Sequence, residues 1–213
     1  WSKCTGGPAD LDYAFAVATD KKDNVFLTGH FGASSITFDT IRLNEIGGEK
    51  IFIAKFDSKG KTLWAKKERR TSNSYSVAID KKGDCFITGW FATDTLVFGK
   101  DTLYSKKGIN VCVLKYDSDG NRIWGRAASQ NAKPKGYSVT VDSLDNVYIG
   151  GWFNKQPFAF DTVTVPCDKG IYITKYDSNG YFNWVKCIEA DGKLRALHCD
   201  KFGNLYLAGY FEN

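Results

Sequence analysis

Apolar and polar positions along the chain alternate in short runs, and several runs are apolar on both faces. In VFLTGHF, Val25, Leu27 and Phe31 fall on one side of an extended strand and Phe26 on the other, and IFIAKF shows the same two-sidedness. A strand apolar on both faces has to be covered on both. The runs YSVAID (from Tyr75), CFITGWF (from Cys85), INVCVLKYD (from Ile109) and NRIWGRA (from Asn121) predict four successive antiparallel strands. Turns fall at KKGD and DSDG, and the irregular segment from Ala92 to Gly108 predicts one short hairpin around Phe98 and Leu103. No copy carries ten residues of helical amphipathic period, which counts against a βαβ fold.

The unit recurs. Asp57, Asp117 and Asp177 are 60 residues apart, and Gly60, Gly120, Gly180 and Trp64, Trp124, Trp184 keep that spacing. A second series is Gly29, Gly89, Gly151 and Gly209, each followed two positions later by Phe31, Phe91, Phe153 and Phe211; a third is Asp20, Asp80, Asp142 and Asp200. Such self-similarity predicts an all-β β-propeller of four-stranded blades, each roughly 60 residues, with an open stack of β-meanders as the alternative. The blades fall at 11–67, 75–127 and 137–187, with 1–8 as the end of a preceding blade and 194–213 as the first half of a following one. These fifteen expected strands are one short of a closed four-bladed ring, so the chain is expected to belong to a larger propeller whose remaining blades come from the same or another chain. The recurring tryptophan predicts a wedge between adjacent blades. The small residues Ala16, Ser76, Ser138 and Ala196 on strand one fit strands converging near a channel.

The stretches NVFLTGHF, FIAKFDSKGKTLWAKK and SVAIDKKGDCFITGWF resemble the bacterial SBBP-type β-propeller repeat family of extracytoplasmic and surface proteins, especially of Bacteroidetes. The family pattern is met at Asp142, Asn146, Tyr148, Gly151 and Phe153, then at Lys175, Tyr176, Asp177, Gly180 and Trp184. It is broken at Ile173, where Tyr172 supplies the aromatic one residue early, at Asp145 in place of a turn glycine, and at Gly150 in place of threonine. The resemblance implies a secreted or cell-surface location and specifies architecture more than activity.

Composition supports the β reading: aromatics make up 15% of 213 residues, and 21 glycines stand against four prolines, a balance that suits strands and tight turns. With 43% hydrophobic residues the chain fills a core, and no apolar run reaches the length of a membrane helix, so membrane insertion is not expected. The net charge of +5 has its densest patch at KKERR, Lys66 to Arg70, which the other copies replace with RAAS and KCIE. That reads as a solvated edge rather than a nucleic-acid groove.

The motif DSDG invites comparison with a calcium loop, but Asp117, Asp119 and Asn121 lack the distal acidic ligand, and the other copies lose Asp119; the motif reads as a turn. No metal, cofactor or catalytic residues are assigned. The two histidines, His30 and His198, stand alone, and nucleophile-elbow, zincin, P-loop and dinucleotide motifs are absent. Of six cysteines, Cys85 and Cys112 read as buried thiols; Cys4 and Cys187 follow strand four, Cys199 ends a strand, and Cys167 and Cys187 lie where a hairpin lets them approach. His30, Trp90, Trp152 and Tyr210 occupy one repeat position and are the candidate ligand-stacking residues. The expected function is a noncatalytic scaffold, adhesion or protein-interaction module. The alternatives are a carbohydrate-binding propeller and a noncatalytic part of a larger enzyme.

Overall fold

The computed structural model describes residues 1–4, 12–32, 34–44, 48–68, 72–105, 108–128, 133–154 and 158–212. In chain order the strands are β1 (Asp12–Thr19), β2 (Val25–Phe31), the hairpin β3 (Ser35–Phe38) and β4 (Ile41–Asn44), β5 (Lys50–Phe56) and β6 (Thr62–Lys67). The second set is β7 (Ser72–Ile79), β8 (Cys85–Phe91), the hairpin β9 (Thr95–Phe98) and β10 (Asp101–Tyr104), β11 (Asn110–Tyr116) and β12 (Arg122–Ala127). The third is β13 (Lys135–Val141), β14 (Val147–Phe153), the hairpin β15 (Ala159–Phe160) and β16 (Val163–Thr164), β17 (Gly170–Tyr176) and β18 (Phe182–Ile188); β19 (Asp191–Cys199) and β20 (Leu205–Glu212) follow. Three antiparallel sheets result, ordered β1-β2-β5-β6, β7-β8-β11-β12 and β13-β14-β17-β18, and β19 pairs with β20. These are propeller-like blades, stacked so that β1, β7, β13 and β19 lie side by side.

Two-sided strands bury their faces against neighbouring sheets and against each blade's own hairpin, as Ile36, Phe38 and Leu43 of β3 and β4 pack on Phe31, Phe52 and Phe56. Phe26, Ile51 and Ile53 of the first blade pack with Val77, Ile87 and Leu114 of the second. Phe86, Val111, Val113 and Trp124 pack with Val139, Ile149 and Tyr172 of the third, and Tyr148 and Ile173 with Leu194 and Leu197. Each such side chain contributes about 1.5–3 kcal/mol of burial. Strand-one hydroxyls bridge the blades. The Val139 N–H donates to Ser76 Oγ (3.2 Å), the Leu197 N–H to Ser138 Oγ (2.9 Å) and the Cys199 N–H to Thr140 Oγ1 (3.2 Å). The small residues expected at Ser76 and Ser138 therefore serve as inter-blade acceptors.

Both classes of turn are built by an aspartate. Asp117 Oδ1 accepts the N–H groups of Asp119 and Asn121, and Oδ2 accepts the Asn121 amide. Asp142 and Asp200 repeat this pattern in full. With these oxygens bound to the chain itself, DSDG turns the backbone. The residue three after each aspartate has positive φ: Gly120 at 80° and, in place of glycine, Asp145 at 63°, a conformation aspartate tolerates better than most residues.

A repeated latch joins consecutive blades. The Ser118 carbonyl in the second blade's turn accepts Trp64 Nε1–H (3.0 Å) and Lys55 Nζ–H (3.1 Å) from the first blade. Ser178 in the third blade accepts Trp124 Nε1–H (3.2 Å) and Lys115 Nζ–H (3.2 Å) from the second. Trp1 seats on the first blade in the same way, donating to the Ser58 carbonyl at 3.0 Å. The indole lies so close over the turn glycine that a Cβ on Gly60, Gly120 or Gly180 would meet it at 2.6, 2.8 or 2.7 Å. The tryptophans are inter-blade wedges, as their recurrence predicts.

Part of the KKERR patch departs from the solvated edge expected of it. Glu68 is buried and accepts hydrogen bonds from Tyr116 Oη (2.7 Å) and Arg122 Nε (2.8 Å) of the next blade. Burial raises its carboxyl above the usual range, while Arg122 and the Tyr116 hydroxyl pull it down. Arg69 and Arg70 lie outside the described residues. Cys167 and Cys187 form a disulfide, whereas Cys85 and Cys112 are buried free thiols that burial pushes above the ordinary thiol range, Cys112 to about 12. Cys199 is also a buried free thiol, and Cys4 is an exposed one.

Candidate functional site

The inner strands begin at one end of the stack, and each carries a β-bulge there. The pairing of β1 with β2 skips Phe15, that of β7 with β8 skips Tyr75, that of β13 with β14 skips Tyr137, and that of β19 with β20 skips Arg195. A bulge leaves its extra residue out of the ladder and re-aims its side chain. The crowding it causes falls on the opposite strand: a Cβ on Gly29, Gly89, Gly151 or Gly209 would come within 1.9, 1.7, 2.0 or 2.3 Å of the carbonyl oxygen of Tyr13, Asn73, Lys135 or Lys193. The second glycine series thus exists to accommodate the bulge.

The four bulge residues form a continuous row across the blades. The Phe15 and Tyr75 rings are 5.2 Å apart, as are those of Tyr75 and Tyr137, and the Arg195 guanidinium lies 5.9 Å from the Tyr137 ring centroid. Tyr13 stacks on Phe15 at 6.1 Å, and Arg195 also reaches the Tyr210 ring at 5.5 Å. Phe15, Tyr13, Arg195 and Tyr210 are exposed, and Tyr75 and Tyr137 half-buried. Burial first, then the adjacent Tyr75, raises the Tyr137 hydroxyl above the usual phenol range.

The sequence-predicted stacking residues line the outer side of this row, in different states. His30 is buried, with Tyr13 and Phe15 5.1 and 5.3 Å from its ring, so it offers no open face; this corrects its assignment as a stacking platform. Trp90 is half-buried: its indole N–H donates to Tyr75 Oη at 3.0 Å, and the Lys135 ammonium of the next blade sits 5.4 Å from its ring. Trp152 is half-buried under Lys193 at 5.2 Å, and only Tyr210 is exposed. Each tryptophan is thus faced by a cation from the neighbouring blade, a geometry worth about 0.5–2 kcal/mol. Trp152, Asn154, Asp191, Lys193 and Tyr210 border a cleft of about 200 Å³ with the Lys169–Asp191 ion pair (2.6 Å) at its edge.

The bulge row was not among the candidates read from the sequence, although a signal was present. Residues 15, 75, 137 and 195 directly precede the small-residue series and are Phe, Tyr, Tyr and Arg, large residues each set immediately before a small one. His198, the other histidine, is exposed on β19. Among the described residues, no group of three or more His, Cys, Asp or Glu side chains is placed to hold a metal ion, and no helix is long and apolar enough to cross a membrane.

Blades of this form, with a surface row running across them, define an all-β repeat protein of propeller-like, four-stranded antiparallel sheets. No family model matches the chain. It is 27% identical over 161 residues to an uncharacterized WD repeat-containing protein of Acanthamoeba polyphaga mimivirus. That alignment takes in 68% of this chain and 12% of the relative, so the chain spans about an eighth of the protein it matches. The similarity supports a WD or propeller repeat in general and does not single out the bacterial SBBP family.

Proposed function

We propose that this chain is a noncatalytic interaction module, a run of propeller blades within a larger propeller, that presents the aromatic and cationic rim to a protein partner as part of a scaffold or adhesion surface. One observation carries the reading. Phe15, Tyr75, Tyr137 and Arg195 stand outside the strand pairing, leave ring faces and a guanidinium partly open, and align across four successive inner strands. Tyr, Phe and Arg are the residue types on which interface energy concentrates, because they combine large contact area with a polar or charged edge. The WD-repeat relative is consistent with a scaffold role. A secreted or cell-surface setting accords with the Cys167–Cys187 disulfide, since such bonds persist in oxidising compartments.

The test is photo-crosslinking from position 75 on the source cell surface, alongside a glycan array. The expected result is a protein adduct lost in a Phe15→Ser, Tyr137→Ser, Arg195→Ser variant whose urea midpoint stays close to the parent's. A variant that crosslinks as well as the parent refutes the rim. Glycan binding abolished by Trp90→Ala and Trp152→Ala, with no protein adduct, would replace the protein partner with a carbohydrate one.

A further inference from the structure

The seam between the first and second blades is sealed by polar side chains that the next seam lacks. Buried Glu68, at the end of the first blade, accepts hydrogen bonds from Tyr116 Oη and Arg122 Nε of the second, at 2.7 and 2.8 Å, and Arg122 Nη2 donates to the Lys67 carbonyl at 3.0 Å. One repeat later the tyrosine recurs as Tyr176, but Ala128 stands in place of Glu68 and Phe182 in place of Arg122. Beside them, where β10 and β12 face the third blade, lies a cleft of about 560 Å³. That is a size at which small ligands are held.

The walls of the cleft carry donors, acceptors and open rings. Arg126 crosses it: Nε donates to the Gly180 carbonyl of the third blade at 2.8 Å, and Nη1 to Asp101 Oδ2 at 3.1 Å, an oxygen that also accepts the Gly125 N–H at 2.9 Å. Asp161, at the turn of the β15–β16 hairpin, and buried Tyr176 line it as well. Burial raises the Tyr176 hydroxyl above the usual phenol range; a Thr174 hydrogen bond and Arg126 draw it down, and Asp161 raises it, so both charges act on this hydroxyl. The rings of Tyr104 and Tyr181 are 62% and 69% accessible, where the first seam has Asn44 and Asn121. This seam has therefore lost the carboxylate that filled it and gained two exposed aromatics.

The charges restrict what can enter. A guanidinium on the wall opposes a cation, and two carboxylates oppose an anion, because a charge taken from water without its partner is costly. The occupant is then neutral. It has to donate to Asp101 and Asp161, accept from Arg126 and Tyr176, and present an apolar face to a tyrosine ring. Vicinal hydroxyls, a ring oxygen and a C–H face meet these demands together. We propose that the cleft between the second and third blades binds a neutral pyranose sugar, with Asp101 and Asp161 accepting from its hydroxyls, Arg126 donating to its ring or glycosidic oxygen, and Tyr181 against its C–H face. The cleft shares no residue with the aromatic rim, so this is a second ligand site whose test is independent of the protein partner proposed there.

The experiment titrates the ¹⁵N-labelled 213-residue chain with the methyl α- and β-pyranosides of glucose, galactose, mannose and xylose, read by ¹H–¹⁵N spectra. The expected result is saturable shifts of the amides at 101–104, 125–128 and 180–182 with at least one glycoside, at a dissociation constant of about 1–10 mM. Tyr181→Ala and Asp161→Asn, both at exposed positions, each weaken that binding about fivefold or more while the urea midpoint stays close to the parent's. Ala128→Glu, which restores the carboxylate of the first seam, abolishes it, and Trp90→Ala with Trp152→Ala leaves it unchanged. The inference is overturned if no glycoside shifts these amides saturably up to about 50 mM, if shifts are confined to the surroundings of Trp90 and Trp152, or if Tyr181→Ala and Asp161→Asn bind as well as the parent. Sodium acetate, tetramethylammonium chloride and N-acetylalanine methylamide are titrated alongside. Saturable shifts at the cleft with one of these and none with the glycosides make the occupant an anion, a cation or a peptide, and likewise overturn the inference.

Discussion

The latch tryptophans occupy one repeat position in three degrees of burial, so alanine substitution yields a graded series. Trp124 is 3% exposed between Phe86 and Tyr176, Trp64 is half-buried and Trp1 is 64% exposed. A tryptophan side chain removes up to roughly 250 Å² from water. At about 25 cal/mol/Å², Trp124 then accounts for at most ~6 kcal/mol and Trp1, buried over about a third of its area, for at most ~2. Alanine retains part of the contact and the site relaxes, so Trp124→Ala is expected to destabilise by about 3–5 kcal/mol, including about 1 kcal/mol for the indole hydrogen bond to the Ser178 carbonyl. Trp1→Ala should lose about 1 kcal/mol and Trp64→Ala an intermediate amount. Urea unfolding followed by far-UV circular dichroism measures the midpoint and slope of each variant, and unchanged slopes confirm a common unfolded reference. Equal losses for Trp1→Ala and Trp124→Ala, or a loss below about 1 kcal/mol for Trp124→Ala, would show that these rings do not act as wedges.

Two further outcomes follow from the same geometry. Gly180→Ala should cost more than Gly203→Ala: both sites have positive φ, but a Cβ at Gly180 would meet the Trp124 ring at 2.7 Å whereas nothing lies within 4 Å of Gly203, leaving only about 1 kcal/mol of backbone strain there; equal urea midpoints would contradict this. Burial holds the His30 imidazole below its ordinary 6.5, against the opposing pull of Glu49 and Asp12. The unfolded chain therefore binds a proton more readily at this site, so the contribution is full above pH 6.5 and is lost as pH falls below it. His30→Gln should flatten the fall in urea midpoint on going from pH 6.5 downward, and an unchanged slope with pH would remove His30 from the account.

The turns, the strand order and the tryptophan wedge were legible because each leaves a fixed letter at a fixed spacing: Asp57, Gly60 and Trp64 recur with the geometry they create. The bulge was not. Reading β7 as an alternating strand from Tyr75 hides the fact that Tyr75 has left the register, since a period of two has no symbol for an unpaired residue. His30 shares a repeat position with Trp90, so its burial beneath Tyr13 and Phe15 depends on residues of another strand. Glu68 sits within a basic run and is claimed by Arg122 and Tyr116, some 50 residues away, a long-range pairing that local charge does not reveal. The disulfide was foreseen as an approach of Cys167 to Cys187, because only the folded hairpin fixes the directions of the two Cβ atoms.

The bulge also separates what the repeat encodes from what it displays. At 15, 75, 137 and 195 the chain carries Phe, Tyr, Tyr and Arg, yet the pairing on either side is the same in every blade, with the opposing glycine absorbing the displaced backbone. The scaffold does not read this letter. Chains built on this repeat can therefore change the side chains of this row by rewriting one residue per blade, with a surface whose vocabulary grows combinatorially with blade number while its grammar stays fixed.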